Sequence, residues 1–403
     1  MFRYTILFFC VLVSTGLSAI SIEEELKNKC QFEDDQPLPK DKYSRLIHKM
    51  EFEKARDFCD TQPKDKKNCK ASARFWLGAR EFANREDETA ETYFLEGLEF
   101  KSANGKVVDW IHNKGNHTGW GNPEDMLRYV QKSKTLDSKE PKYIQTLTYV
   151  IVANTETEKL QKRMDPCLAL HGLLSLKVLK RYIELFSENQ LTIEIKMINV
   201  TQTATRLNER NYIMLSGLAP WDENLSLQMN QIATESDLVF IAFPRFGGNA
   251  NANYGSFPIV PKFANSPFRT YIKMPSEWLT MINFPQIFHE YMHTVEFHMN
   301  RNGDKKFHAT SHGSDGKRVE EITGLPTSST GETDWAEHLF ANRIRELAIS
   351  LELSKQKNGW EQIFGIHLQN KNLYSETQIK ELYKKYKGMP STEGHLPNTE
   401  DSN

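Results

Sequence analysis

His289-Glu290-Tyr291-Met292-His293 is the stretch of this sequence whose residue types and spacing best match a chemical task. Two imidazoles four residues apart lie one helical turn from each other, so both can reach a single tetrahedral Zn²⁺. The glutamate between them is then set beside the metal, where its carboxylate can take a proton from an activated water. That chemistry needs a helix, and the flanking residues predict one from Asn283 to Asn300: Asn283 as N-cap, Pro285 in the first turn, and Asn302-Gly303 as the stop. Phe284, Phe288, Tyr291, Met292, Val295 and Met299 form one apolar stripe. The two histidines fall on a different face, about 120–160° from it. With 12 His in 403 residues, the pattern arises by chance in about a few per cent of such chains. Its place on a well-delimited amphipathic helix raises its weight. The expected assignment is Zn²⁺ held by His289 and His293, with Glu290 as catalytic base.

The elements before this helix must hold it. Tyr143 to Ala153 contains Leu147-Thr148-Tyr149-Val150-Ile151-Val152, a β-rich run. Leu168 to Phe186 carries a strong helical pattern, and Leu191 to Ile198 alternates with period two as a half-buried strand does. Asp237 to Phe243 is apolar enough for a central strand, and Arg269 to Lys273 reads as a last short one. Between them Gly247 to Gly255 reads as a small-residue loop. The prolines of Ser256 to Pro261 confine that segment to a sheet edge or a loop. Upstream, Ile20 to Glu140 is charged and helical in pattern, with amphipathic helices expected over Tyr43 to Cys59 and Ala71 to Asn84. It carries no catalytic constellation, so a cap or substrate-positioning role is the expectation.

A strand series leading into a His-Glu-x-x-His helix resembles the zincin metallopeptidases, over about Tyr143 to Tyr386. The resemblance implies an α+β, zincin-like catalytic domain: a mixed sheet with an edge strand, the active-site helix and a helical C-terminal lobe. The implied activity is a zinc-dependent metalloendopeptidase, a hydrolase with a peptide or protein as substrate. The metzincin branch expects Gly three and His six residues beyond the second motif histidine; those places hold Glu296 and Met299, which excludes it. The gluzincin branch takes its third ligand from a later helix, and Thr333 to Leu351 is similar to the acidic-aromatic-Ala-Glu helix of lethal-factor-type zincins. That pattern expects a glutamate four residues before Glu337, where this chain has Thr333. The third metal ligand is therefore open among Glu337, taken first because it lies inside the helix, and Glu332 and Asp334 as alternatives. Thr333 also keeps a second reading in view: an exported zincin-like binding protein without activity.

Composition bounds the rest. Lys+Arg number 51 against 53 Asp+Glu, a formal net charge of -2, so no broad basic field invites nucleic acid. Met1 to Ala19 has a short basic start, an apolar run and a small-residue end, the pattern of a secretory signal peptide. The expected mature chain is secreted or extracytoplasmic, with no membrane association. It keeps Cys30, Cys59, Cys69 and Cys167, for which disulfides in any of three connectivities are expected. The expected divisions are a signal peptide at 1–19, a mainly helical N-terminal domain at 20–140, a metallopeptidase domain at 141–390 and a flexible tail at 391–403.

Overall fold

The computed structural model describes residues 21–32, 39–64, 66–100, 123–136, 140–156, 161–187, 189–204, 235–244, 251–255 and 269–284. It also describes Ile232, Ile287, Phe288, Glu290, Tyr291, Thr294 and Val295. Over these the chain is an α+β protein with a mixed sheet. Six helices come first: α1 (Ile22–Phe32), α2 (Lys42–His48), α3 (Phe52–Asp60), α4 (Lys67–Ala83), α5 (Asp87–Leu98) and α6 (Pro123–Ser133). β1 (Tyr143–Glu156), β2 (Gln161–Arg163), α7 (Pro166–Phe186), β3 (Leu191–Ala204), β4 (Leu238–Phe243), β5 (Asn251–Gly255) and β6 (Arg269–Pro275) follow. Two 3₁₀ turns, Ser276–Trp278 and Met281–Asn283, then lead into helical positions from Phe284 to Val295.

β1 pairs with three other strands of the sheet. β3 runs parallel along one of its sides. β4 runs parallel on the other along Leu147 to Ile151, and farther along β1 the short β2 pairs antiparallel with Asn154 to Glu156. β6 adds parallel to β4, and β5 closes the order antiparallel to β6. Side chains alternate across the strands, as a pleated backbone requires. Leu147, Tyr149 and Ile151 of β1, Leu238 and Phe240 of β4, and Ile272 and Met274 of β6 join the helices in one cluster. Val150, Val152, Val239, Ile241, Phe243 and Tyr271 form a second cluster on the opposite face. α7 lies close against β1: a side chain at Gly172 would collide with the buried Tyr149 hydroxyl, which donates to the Ala169 carbonyl at 3.0 Å.

The larger cluster runs without a break from Leu26 of α1 to Val295. Its helical half is aromatic, with Phe52 stacked on Trp76 at 5.5 Å and Trp76 edge-on to His171 of α7 at 5.6 Å. The helix expected over Tyr43 to Cys59 is two helices, because the chain turns at Met50, whose φ is 57°. The amides of Met50 and Glu51 donate to the carbonyls of Ile47 and Leu46, the paired bonds that close a helix whose next residue is left-handed. Glycine is the usual residue there, so a methionine hides the break from a reading of periodicity.

The cysteines pair as Cys30–Cys167 and Cys59–Cys69. The first ties α1 to the start of α7 across 137 residues, the second closes a separation of 10. Two disulfides fit an oxidising, extracytoplasmic environment. No helix among the described residues is long and apolar enough to cross a membrane. The predicted signal peptide lies outside the described residues. Opening the long loop by replacing both Cys30 and Cys167 with Ser is expected to cost about 2–5 kcal/mol of stability, read as a lower urea midpoint. The Cys59–Cys69 bond closes a much shorter loop, so replacing both with Ser should cost less.

His171 gives this junction a pH dependence. It is fully buried, its Nε2 donating towards the carbonyls of Ile47 at 3.0 Å and His48 at 3.2 Å. Carbonyls only accept, so the proton sits on Nε2 and Nδ1 is bare, with no partner among the described residues. Burial, and next the charge of His48, push its pKa down to about 4, against the opposing pull of the two carbonyls and Asp165. The folded chain thus binds a proton less readily than the unfolded one, so stability is full above about pH 6.5 and falls as pH drops towards 4. The loss should reach about 3 kcal/mol. Tm measured from pH 7 to 4 should fall steeply in the native chain, and less so in His171→Gln, which keeps a donor but does not titrate.

Candidate metallopeptidase site

The motif helix is positioned from three sides. β6 delivers the chain at the sheet end, and the 3₁₀ turn after it is held by Ser175 of α7, whose hydroxyl donates to the Leu279 carbonyl at 2.9 Å. Asn283, expected as a simple N-cap, belongs to the second 3₁₀ turn, and its amide donates back to the Glu277 carbonyl and the Thr280 hydroxyl, each at 3.4 Å. Phe284 and Phe288 then stack on each other at 6.2 Å and pack on Tyr182 of α7 at 5.0 and 5.9 Å. Tyr291 reaches the sheet: its buried hydroxyl donates to Oε1 of Gln145 on β1 at 2.9 Å. Burial raises the Tyr291 pKa strongly, the bond to Gln145 opposing it only in part, so the phenol stays a donor.

The expected apolar stripe is buried at Phe284, Phe288, Tyr291 and Val295, and Ile287 joins it. Glu290 is helical and only 4 % exposed, on the same side of the turn sequence as Ile287 and Thr294. A carboxylate at such a place is uncommon on a surface helix and requires polar company. Its neighbours Phe288, Tyr291 and Thr294 are helical as well. His289 and His293 lie outside the described residues, as do Glu332, Asp334 and Glu337, and with them the proposed ligand set. Of the catalytic residues expected from sequence, Glu290 alone is placed.

The segment Gly247 to Gly255, expected as a loop, ends in a strand. Asn251–Gly255 is β5, antiparallel to β6 from Asn251 opposite Lys273 to Gly255 opposite Arg269. Asn-Ala-Asn-Tyr-Gly has little intrinsic β preference, so pairing with β6 makes the strand. Among the described residues, β5 is the last strand in the sheet order on that side. The proline-containing segment 256–261, the expected edge, lies outside the described residues.

One group among the described residues has donor atoms close enough to hold a metal ion, and it lies in the N-terminal junction. His48, Asp165 and Cys167 bring a ligand atom each to within 4.8 Å of one another. In the oxidised chain Cys167 is bonded to Cys30, and His48 Nε2 pairs with Asp165 Oδ2 at 2.9 Å. Asp165 is also the N-cap of α7, its Oδ1 accepting from the amides of Cys167 at 2.8 Å and Leu168 at 3.4 Å. Burial would raise its pKa, but the hydrogen bond and charge of His48 with these amides bring it below the ordinary value. Sequence reading missed this group because His48 ends α2, far in the chain from Asp165 and Cys167 at the start of α7; the Asp165-Pro166 helix start was the only local signal. No protein-family model, no curated protein and no solved structure matches this chain.

Proposed function

We propose that the chain is an exported zinc-dependent peptidase whose site is built around Glu290 and the helical positions beside it. The observation that carries the reading is His289-Glu290-Tyr291-Met292-His293, with Glu290 buried on a helix locked to β1 and α7. The donor set fits Zn²⁺: two imidazoles at helical spacing, with a carboxylate from Glu337, Glu332 or Asp334 completing the ligands. Zinc held there supplies Lewis acidity towards the scissile carbonyl. Glu290 takes the proton of the attacking water and returns it to the departing amine. The Tyr291–Gln145 bond and the Phe284–Phe288–Tyr182 stack fasten these helical positions, and so Glu290, to β1 and α7. β5, the outermost of the described strands on its side, is the strand beside which an extended peptide would lie.

The mature protein incubated with a peptide library should give defined cleavage products, abolished by a chelator and restored by Zn²⁺. Metal analysis should find about one zinc per chain. A folded, metal-free chain that cuts nothing would favour the non-enzymatic binding protein instead. The third ligand is read from zinc retention in Glu337→Gln, Glu332→Gln and Asp334→Asn.

A further inference from the structure

We propose that the Cys30–Cys167 cross-link covers a latent metal site, independent of the motif helix. When a dithiol reduces the bond, the two thiolates, the His48 imidazole and the Asp165 carboxylate close around one Zn²⁺-class cation. Three of these donors already converge to within 4.8 Å. The fourth, Cys30 Sγ, is 2.04 Å from Cys167 Sγ. Two sulfurs on one tetrahedral Zn²⁺, each about 2.3 Å from it, stand about 3.7 Å apart. Breaking the S–S bond therefore lets the sulfurs separate by less than the width of an atom to reach ligand spacing.

The other two donors are oriented in advance. Oδ1 of Asp165 is held by the amides of Cys167 and Leu168, which leaves Oδ2 facing His48 Nε2 at 2.9 Å. Such support behind a ligand fixes its direction and strengthens the site. Cys167 stands two residues after the Asp165 cap in the first turn of α7, where the helix terminus favours the thiolate. Cys30 and Cys167 are 3 % and 4 % exposed, and the side chains of His48 and Asp165 14 % and 12 %. Two thiolates and one carboxylate against a divalent cation leave one net negative charge, at the positive end of a helix. Two sulfurs and an imidazole select zinc or cobalt over magnesium or calcium.

The step balances. The dithiol's two electrons and two protons open the disulfide to two thiols, and the reductant leaves as its own cyclic disulfide. Metal then displaces the two thiol protons and the proton that His48 Nε2 holds towards Asp165 Oδ2. Either cross-link, sulfur–sulfur or sulfur–metal, would join α1, the end of α2 and α7 at the same point. The reduced chain would thus exchange a covalent staple for a metal-dependent one.

The test uses the full mature chain carrying His289→Ala and His293→Ala, so that the motif cannot compete. After reduction, Co²⁺ should bind at one per chain, give a thiolate charge-transfer band with tetrahedral visible absorption, and raise the Tm of the reduced protein. The oxidised chain should show none of these. Adding His48→Ala should weaken cobalt binding at least tenfold, while adding Cys59→Ser and Cys69→Ser should leave the band unchanged. No band on reduction overturns the proposal. So does affinity undiminished by His48→Ala, or binding without a rise in Tm, which is what thiols of an unfolded chain would give.

Discussion

Glu290→Gln should leave a folded, zinc-loaded protein that has lost about 10²–10⁴-fold of its peptide-cleaving rate, the range that a positioned general base contributes. The amide matches the carboxylate in shape, so a side chain that is 4 % exposed is exchanged without a cavity. What changes is chemistry: an amide cannot take a proton from water and hand it on. kcat should fall while zinc content and far-UV circular dichroism stay those of the native chain. His289→Ala, by contrast, should lose the metal as well as the activity. Cleavage by Glu290→Gln at the native rate would remove the mechanism, and zinc loss in that variant would make Glu290 a ligand instead.

The largest effect on stability is expected away from the site, in the charges under α7. Arg181 and Glu184 have side chains 5 % and 0 % exposed. Arg181 donates to Glu184 at 3.0 Å, to both oxygens of Asp87 at 3.1 and 3.0 Å, and to the Phe82 carbonyl at 3.2 Å. Glu184 accepts further bonds from Arg85 and from Thr192 of β3, each at 2.6 Å. Arg181→Met fills similar space but leaves two carboxylates without their shared cation, and should cost about 3–5 kcal/mol. Arg181→Met combined with Glu184→Leu should cost less than the sum of the single changes, by about 0.5–3 kcal/mol, since each removes the other's reason for harm. Urea unfolding of the four chains measures both. A single Arg181→Met within about 0.5 kcal/mol of native stability, the usual range for a surface change, would mean that the network contributes no net stability.

Much of the sheet was legible because its strands are apolar and periodic. Tyr143, Leu191, Leu238 and Arg269 begin β1, β3, β4 and β6 at or within one residue of the expected starts. α7 was legible for the same reason, with Asp165 and Pro166 marking a start slightly ahead of the expected Leu168. The misreadings share a cause. Met50 takes a left-handed turn that glycine usually takes, and β5 is a strand because β6 lies beside it. In each case contacts override what the residue types favour by themselves.

By itself the sequence determined the chemistry that is possible here: two imidazoles and a glutamate at helical spacing, four cysteines beyond the predicted signal segment, and a charge balance that does not draw nucleic acid. Those are properties of residue type and short spacing, so they need no fold to be read. Tertiary structure alone decided which cysteines pair, that the helical N-terminal region shares one core with the sheet, and that Gln145 fastens Tyr291. It alone brought His48, Asp165 and Cys167 together. Most of these are meetings of residues far apart in the chain. Hydrophobic burial selects them over the whole molecule, and no local spacing records the outcome.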